Sequence, residues 1–94
     1  MRKAMAAAIA LIAAATAASA EPPAGAASCS GCHPASARVA SPVPRLVGID
    51  RAAIVRAMQE FRSGQRTGTV MDRIAKGFTD EEIQAIAAWY TAQR

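Results

Sequence analysis

Both cysteines and the single histidine of this chain fall within five consecutive positions, Cys29-Ser30-Gly31-Cys32-His33. Cysteine and histidine are the residues that staple small folds, through disulfides or metals. Concentrating them means that any staple acts at one point and the rest of the chain must organise around it. A Cys29–Cys32 disulfide would close a very small loop, and short loops constrain the unfolded chain least. A redox dithiol of the C-x-x-C type calls for a βαβ setting, and the sequence carries no strand pattern. Neither use needs His33.

The need for a staple depends on how much of the chain folds. The sequence opens MRKAMAAAIALIAAATAASAEPP. Arg2 and Lys3 form a positive start, residues 4–20 carry no charge, and Ala18-Ser19-Ala20 is an A-x-A cleavage site before Glu21 and two prolines. This is the pattern of a secretory signal peptide. The expectation is a leader over 1–20 and one domain over 21–94, delivered to the periplasm. An uncleaved anchor fits less well, because the run is short, alanine-rich and followed at once by a cleavage site. No stable membrane anchor is therefore expected after cleavage. Removing 20 of the 94 residues leaves 74. At roughly 70–80 residues an apolar core alone supplies little net stability. Losing Arg2 and Lys3 also lowers the net charge from +4 to +2. That weak balance, with one Trp, one Tyr and two Phe, gives no case for nucleic-acid binding.

The remainder reads as all-α. Residues 21–28 read as a linker that becomes a short helix running into the cysteines, since Pro22 and Pro23 suit a first turn. Residues 34–49 hold three prolines and a glycine and read as an ordered loop. A helix is expected over 50–63, with Asp50 as N-cap and Ile54, Val55, Met58 and Phe61 on one stripe. Gly64 is its stop signal. Residues 64–78 read as a second loop, with one helical turn over 70–76. The last helix, 79–93, opens on a Thr79/Glu82 capping box. Three acidic residues sit at its positive end, and Ile83, Ile86, Ala87 and Tyr90 share a face beside Trp89. Three helices and two long loops make poor material for a core unless something large lies between them.

C-x-x-C-H is the attachment motif for a c-type haem. Cysteines three apart can reach two vinyl groups of one porphyrin and form thioethers. The next residue then lies beneath the ring, where an imidazole nitrogen can bind iron. Cys29 and Cys32 are thus the expected covalent anchors of one haem c, and His33 its proximal ligand. The haem would also supply the missing core. With no second histidine, bis-histidine ligation within the chain is excluded. Met58, Met71, Lys76 and water remain for the sixth position. Met58 lies on an apolar helix stripe and reads as core filler. Met71 sits in a glycine-bounded loop far along the chain, can be aimed at the opposite face of the ring, and is the preferred ligand. His/Met ligation raises the reduction potential and closes the iron to substrates. It suits outer-sphere electron transfer rather than catalysis at the iron.

Three stretches together resemble the class I monohaem cytochromes c: CSGCH, PRLVG at 44–48, and TVMDRIAKGFTDEEIQAIAAWY at 69–90. The resemblance covers roughly residues 25–93. It implies a small cytochrome c fold, three main helices and loops wrapped around one covalently bound haem. It also implies that the Pro44 carbonyl accepts a hydrogen bond from His33, tuning its basicity, and that Leu46 contacts the ring. The run from Phe61 to Tyr90 is similar to the cytochrome subunit of flavocytochrome c sulfide dehydrogenase, in which the corresponding methionine is an axial ligand. The resemblance therefore implies a flavoprotein dehydrogenase subunit as electron donor and a downstream electron acceptor. The runner-up is a free-standing shuttle to a terminal oxidase or peroxidase. A ligand-binding haem sensor and a haem-free dithiol protein are weaker alternatives. The segment before Cys29 brings no aromatic, so Trp89 and Tyr90 are expected to meet alanines and to leave an apolar flank bare. Arg38, Arg45, Arg51 or Arg73 is a candidate partner for a haem propionate or an acidic protein.

Overall fold

The computed structural model describes residues 21–93, so the expected leader over 1–20 lies outside the described residues. Four helices follow in order: α1 (Ala26–Cys29), α2 (Arg51–Ser63), α3 (Met71–Ala75) and α4 (Asp80–Ala92). No strand occurs among the described residues. The three expected helices are α1, α2 and α4, and the single turn expected over 70–76 is α3. No helix among the described residues is long and apolar enough to cross a membrane.

Local chemistry sets the ends of the two long helices. The Asp50 carboxylate accepts the Ala53 N–H at 3.2 Å, satisfying a donor that the first turn of α2 leaves free. Gly64 ends α2 with φ +82°, a left-handed conformation that glycine adopts without strain. At α4 the Thr79 hydroxyl accepts the Glu82 N–H at 3.1 Å, and the Glu82 carboxylate accepts the Thr79 N–H at 3.0 Å. This capping box is reinforced by Asp80, Glu81 and Glu82 at the positive end of the helix dipole.

The core is small. Ala26 of α1, Ile54, Val55 and Met58 of α2, Ala75 of α3, and Ile83, Ile86, Ala87 and Tyr90 of α4 are the buried apolar residues. Three of these nine are alanines. Phe61, expected on the same stripe as Met58, is only half-buried against this cluster. Arg62 braces α2 to α4: it donates to the Phe78 carbonyl at 3.2 Å and pairs with Asp80.

The two loops are pinned at their ends and exposed between them. After α2, Arg66 pairs with Glu60 at 3.0 Å and lies 5.5 Å from the Phe61 ring centroid. Gly68 runs so close to Phe61 that a Cβ there would stand 2.9 Å from the ring. That approach delivers the chain to α3, whose first residue is Met71. The 34–49 loop is fastened to α4 by Gly48 N–H to the Tyr90 carbonyl at 3.1 Å and by the Thr91 hydroxyl to the Ile49 carbonyl at 2.7 Å. Val39 and Ile49 in this loop, and Val70 and Ile74 around α3, stay exposed.

The flank expected to lie bare is partly filled from an unexpected direction. Gly25 has φ +86°, and a Cβ there would stand 2.4 Å from the Phe78 ring. Phe78, from the turn before α4, thus covers the entry to α1, where the sequence reading found no aromatic to do so. Tyr90 is only 2% exposed, whereas Trp89 is half-buried and meets it edge-on at 4.9 Å.

Candidate functional site

The motif begins inside α1 and leaves it in a tight turn. The carbonyl of Cys29 accepts the N–H groups of Cys32 at 3.2 Å and His33 at 2.9 Å. One carbonyl therefore gathers the loop so that Cys29, Cys32 and His33 move as a unit. The two cysteines are not joined to each other; Cys29 is partly buried and Cys32 exposed. Burial pushes the Cys29 thiol above its ordinary pKa, against a smaller opposing pull from a backbone hydrogen bond.

One ring nitrogen of His33 is held by a backbone carbonyl. Its Nδ1 lies 2.6 Å from the carbonyl oxygen of Pro44. A carbonyl can only accept, so Nδ1 carries the proton. The lone pair then resides on Nε2, which is the nitrogen available to a metal. Pro44 and Leu46 lie on the same short segment. Leu46 packs half-buried on the core cluster, as do Cys29 and Met71. The structure thus brings Cys29, Leu46 and Met71 to the margin of one small core, with His33 bound to the segment that carries Leu46. Met71 starts a helical turn rather than lying in open loop. Met58 is buried within the core. Of the candidate arginines, Arg45 donates to the Ala35 carbonyl at 3.0 Å and Arg51 to Gln84 at 3.0 Å.

Sequence reading missed a residue of this region. The Tyr90 hydroxyl lies 2.5 Å from the Ala26 carbonyl oxygen and 2.7 Å from the Ser30 hydroxyl. Periodicity marks Tyr90 as a core residue, but nothing local signals a partner 60 positions away. A polar groove of about 600 Å³ between α2 and the start of α4, lined by Arg56, Arg62 and Asp80 among others, contains none of the motif residues.

No family model matches the chain. Over 63 residues it is 43% identical to the cytochrome subunit of sulfide dehydrogenase of Chlorobaculum tepidum, covering 67% of this chain and 57% of that protein. Over 62 residues it is 42% identical to the thiosulfate dehydrogenase electron acceptor of Stutzerimonas stutzeri, covering 64% of this chain and 29% of that protein. It is also 33% identical to cytochrome c-554(548) of Halomonas halodenitrificans over an alignment of 69 positions, covering 69% of this chain and 83% of that protein. The chain belongs to the class I cytochromes c. The cofactor of this cytochrome is covalently bound haem c. The cytochrome spans little more than half the length of the sulfide dehydrogenase subunit and under a third of the thiosulfate dehydrogenase acceptor.

The donor set fits a ring rather than an ion. Among the described residues no three His, Cys, Asp or Glu side chains converge as ligands of one metal ion, although Cys29, Cys32 and His33 are neighbours in sequence. A porphyrin asks for that divergence, because sulfurs must reach its rim and the imidazole its centre. The half-buried apolar side chains at the margin of the core, Leu46, Val47 and Met71, suit its faces.

Proposed function

We propose that this cytochrome works in the periplasm as the haem subunit of a flavoprotein sulfide dehydrogenase, passing single electrons from the flavoprotein to a downstream acceptor. In this reading residues 1–20 are a cleaved leader and 21–94 the mature domain. Cys29 and Cys32 would hold the haem through thioethers, and His33 and Met71 would bind its iron. When bound, haem c supplies a one-electron iron couple. The chain's own residues set the conditions for it. The proton on His33 Nδ1 is held at the Pro44 carbonyl, which fixes the tautomer and keeps Nε2 basic. The Met71 thioether, a soft and weakly donating ligand, favours the reduced state and raises the potential. Leu46, half-buried against the core, would contact the ring.

The observation that carries the partner is the 43% identity to a sulfide dehydrogenase cytochrome subunit across most of the described residues. A second reading, a free-standing shuttle, is favoured by the match over 83% of cytochrome c-554(548), whose name contains no dehydrogenase. Native mass and flavin content of the protein purified gently at low salt separate the two. A complex with flavin and haem in equal amounts supports the subunit. A red monomer without flavin overturns it in favour of the shuttle.

A further inference from the structure

Two loops determine where His33 points, and Tyr90 of α4 fastens both, the second loop being held also by the Thr91 hydroxyl at the Ile49 carbonyl. The attachment loop carries His33 itself. Its internal bonds, from Gly31 N–H to the Ser28 carbonyl and from Cys32 and His33 N–H to the Cys29 carbonyl, hold it together but do not tie it to the rest of the fold. The proximal loop carries Pro44, whose carbonyl holds His33 Nδ1. Four residues on, Gly48 N–H binds the backbone carbonyl of Tyr90 at 3.1 Å. The side chain of the same Tyr90 reaches the attachment loop. The Ala26 carbonyl has no proton to give, so Tyr90 donates to it at 2.5 Å. With that proton committed, the Ser30 hydroxyl donates to the Tyr90 oxygen at 2.7 Å. The contacts close a ring: Ser30 to His33 along the chain, His33 to Pro44, Pro44 to Gly48 along the chain, Gly48 to Tyr90, and Tyr90 back to Ser30. The ring borders a cavity of about 150 Å³ lined by Ser30, Ala35, Val47, Trp89, Tyr90 and Gln93, so hydrogen bonds, Arg45 to the Ala35 carbonyl at 3.0 Å among them, hold the spacing of the two loops and packing alone does not fix it. A four-residue helix such as α1 cannot fix it either, because so short a helix is marginal by itself.

We propose that Tyr90 is a positioning residue for the His33 imidazole, its hydroxyl holding the attachment loop through Ser30 and Ala26 at a set distance from the proximal loop that its carbonyl anchors. The inference rests on the reading of His33 as an iron ligand. Tyr90 sets the length of the His33–Pro44 hydrogen bond, and through it the basicity of Nε2.

Tyr90→Phe keeps the buried ring and removes only the hydroxyl. In the haem-loaded protein, amide hydrogen exchange at Gly31, Cys32 and His33 should quicken by about tenfold, the effect of losing roughly one net hydrogen bond. Exchange in α2 should stay unchanged. The His33 Nδ1–H resonance and the reduction potential should both move. Ser30→Ala should reproduce the loop effect, Ser30→Thr should keep wild-type protection, and the double variant Tyr90→Phe/Ser30→Ala should add little to Tyr90→Phe alone. Unchanged loop exchange and an unmoved Nδ1–H signal would overturn the proposal. So would protection lost equally in the loop and α2, or independent effects in the double variant. Should Tyr90→Phe fail to fold, the Ser30 variants carry the test, since Ser30 is exposed. The wild-type spectrum separately decides whether His33 binds iron: a ligand imidazole gives a paramagnetically shifted resonance in the ferric protein, whatever the variants do.

Discussion

Met71 and Gly25 act through opposite properties, the first by what its side chain offers and the second by having none. Met71→Ala should leave the haem covalently attached, because the thioethers are made elsewhere. It should lower the reduction potential, within the ~0.8 V range that axial ligation controls, and let carbon monoxide bind the ferrous iron at once. A variant with the wild-type spectrum and potential would remove Met71 from the ligand set. At Gly25 a side chain meets two penalties. The left-handed φ of +86° costs a non-glycine residue roughly 1–2 kcal/mol. A Cβ 2.4 Å from the Phe78 ring forces a displacement that typically adds about 1–3 kcal/mol. Gly25→Ala should therefore lower the denaturation midpoint of the haem-loaded protein substantially, whereas Gly31→Ala, whose φ is not left-handed, should have a smaller effect. The sequence disclosed Gly25 only as part of a linker. Its role depends on Phe78, 53 positions later, and no local pattern links the two.

The long helices were legible because their signals are local. Asp50 accepting from Ala53, and Thr79 and Glu82 exchanging hydrogen bonds, lie within three residues of their partners. The buried faces follow the 3.6-residue period, as Ile83, Ile86, Ala87 and Tyr90 do. What resisted reading is how the elements are fastened: Arg62 to Asp80, Gly48 to Tyr90, and Tyr90 to Ala26. These contacts depend on the fold, and no periodicity encodes them. The same held in the candidate site. The C-x-x-C-H spacing is a local signal, whereas the placement of Pro44 came from family resemblance and the Tyr90 hydroxyl from the structure alone. The capping box gives an element-level test. Thr79→Ala should cost about 1 kcal/mol and lower the melting temperature by roughly 4–8 °C for a domain of this size. Thr79→Ser should restore most of it. No difference between the two variants would mean that the first turn of α4 is held by the Arg62 brace instead.

At the scale of the whole molecule, nine buried apolar residues, three of them alanines, make up the core among the described residues. Two loops with exposed apolar side chains surround it. Such a polypeptide depends on the haem for the rest of its apolar contact, so the mature chain stripped of haem should lose most of its helical circular dichroism and melt without a cooperative transition. A folded, cooperatively melting haem-free chain would show that the nine residues suffice.

The contacts that fasten the motif are also distant in sequence, joining Ala26 and Ser30 to a tyrosine 64 and 60 positions away. A chain delivered from its N-terminus thus presents its cysteines long before α4 arrives to restrain them. Until then the Tyr90 contacts cannot restrain the segment around Cys29 and Cys32. The last helix is thus a latch in time as well as in space: it can close on the motif only once it has emerged, so the order of emergence sets the order in which these contacts form.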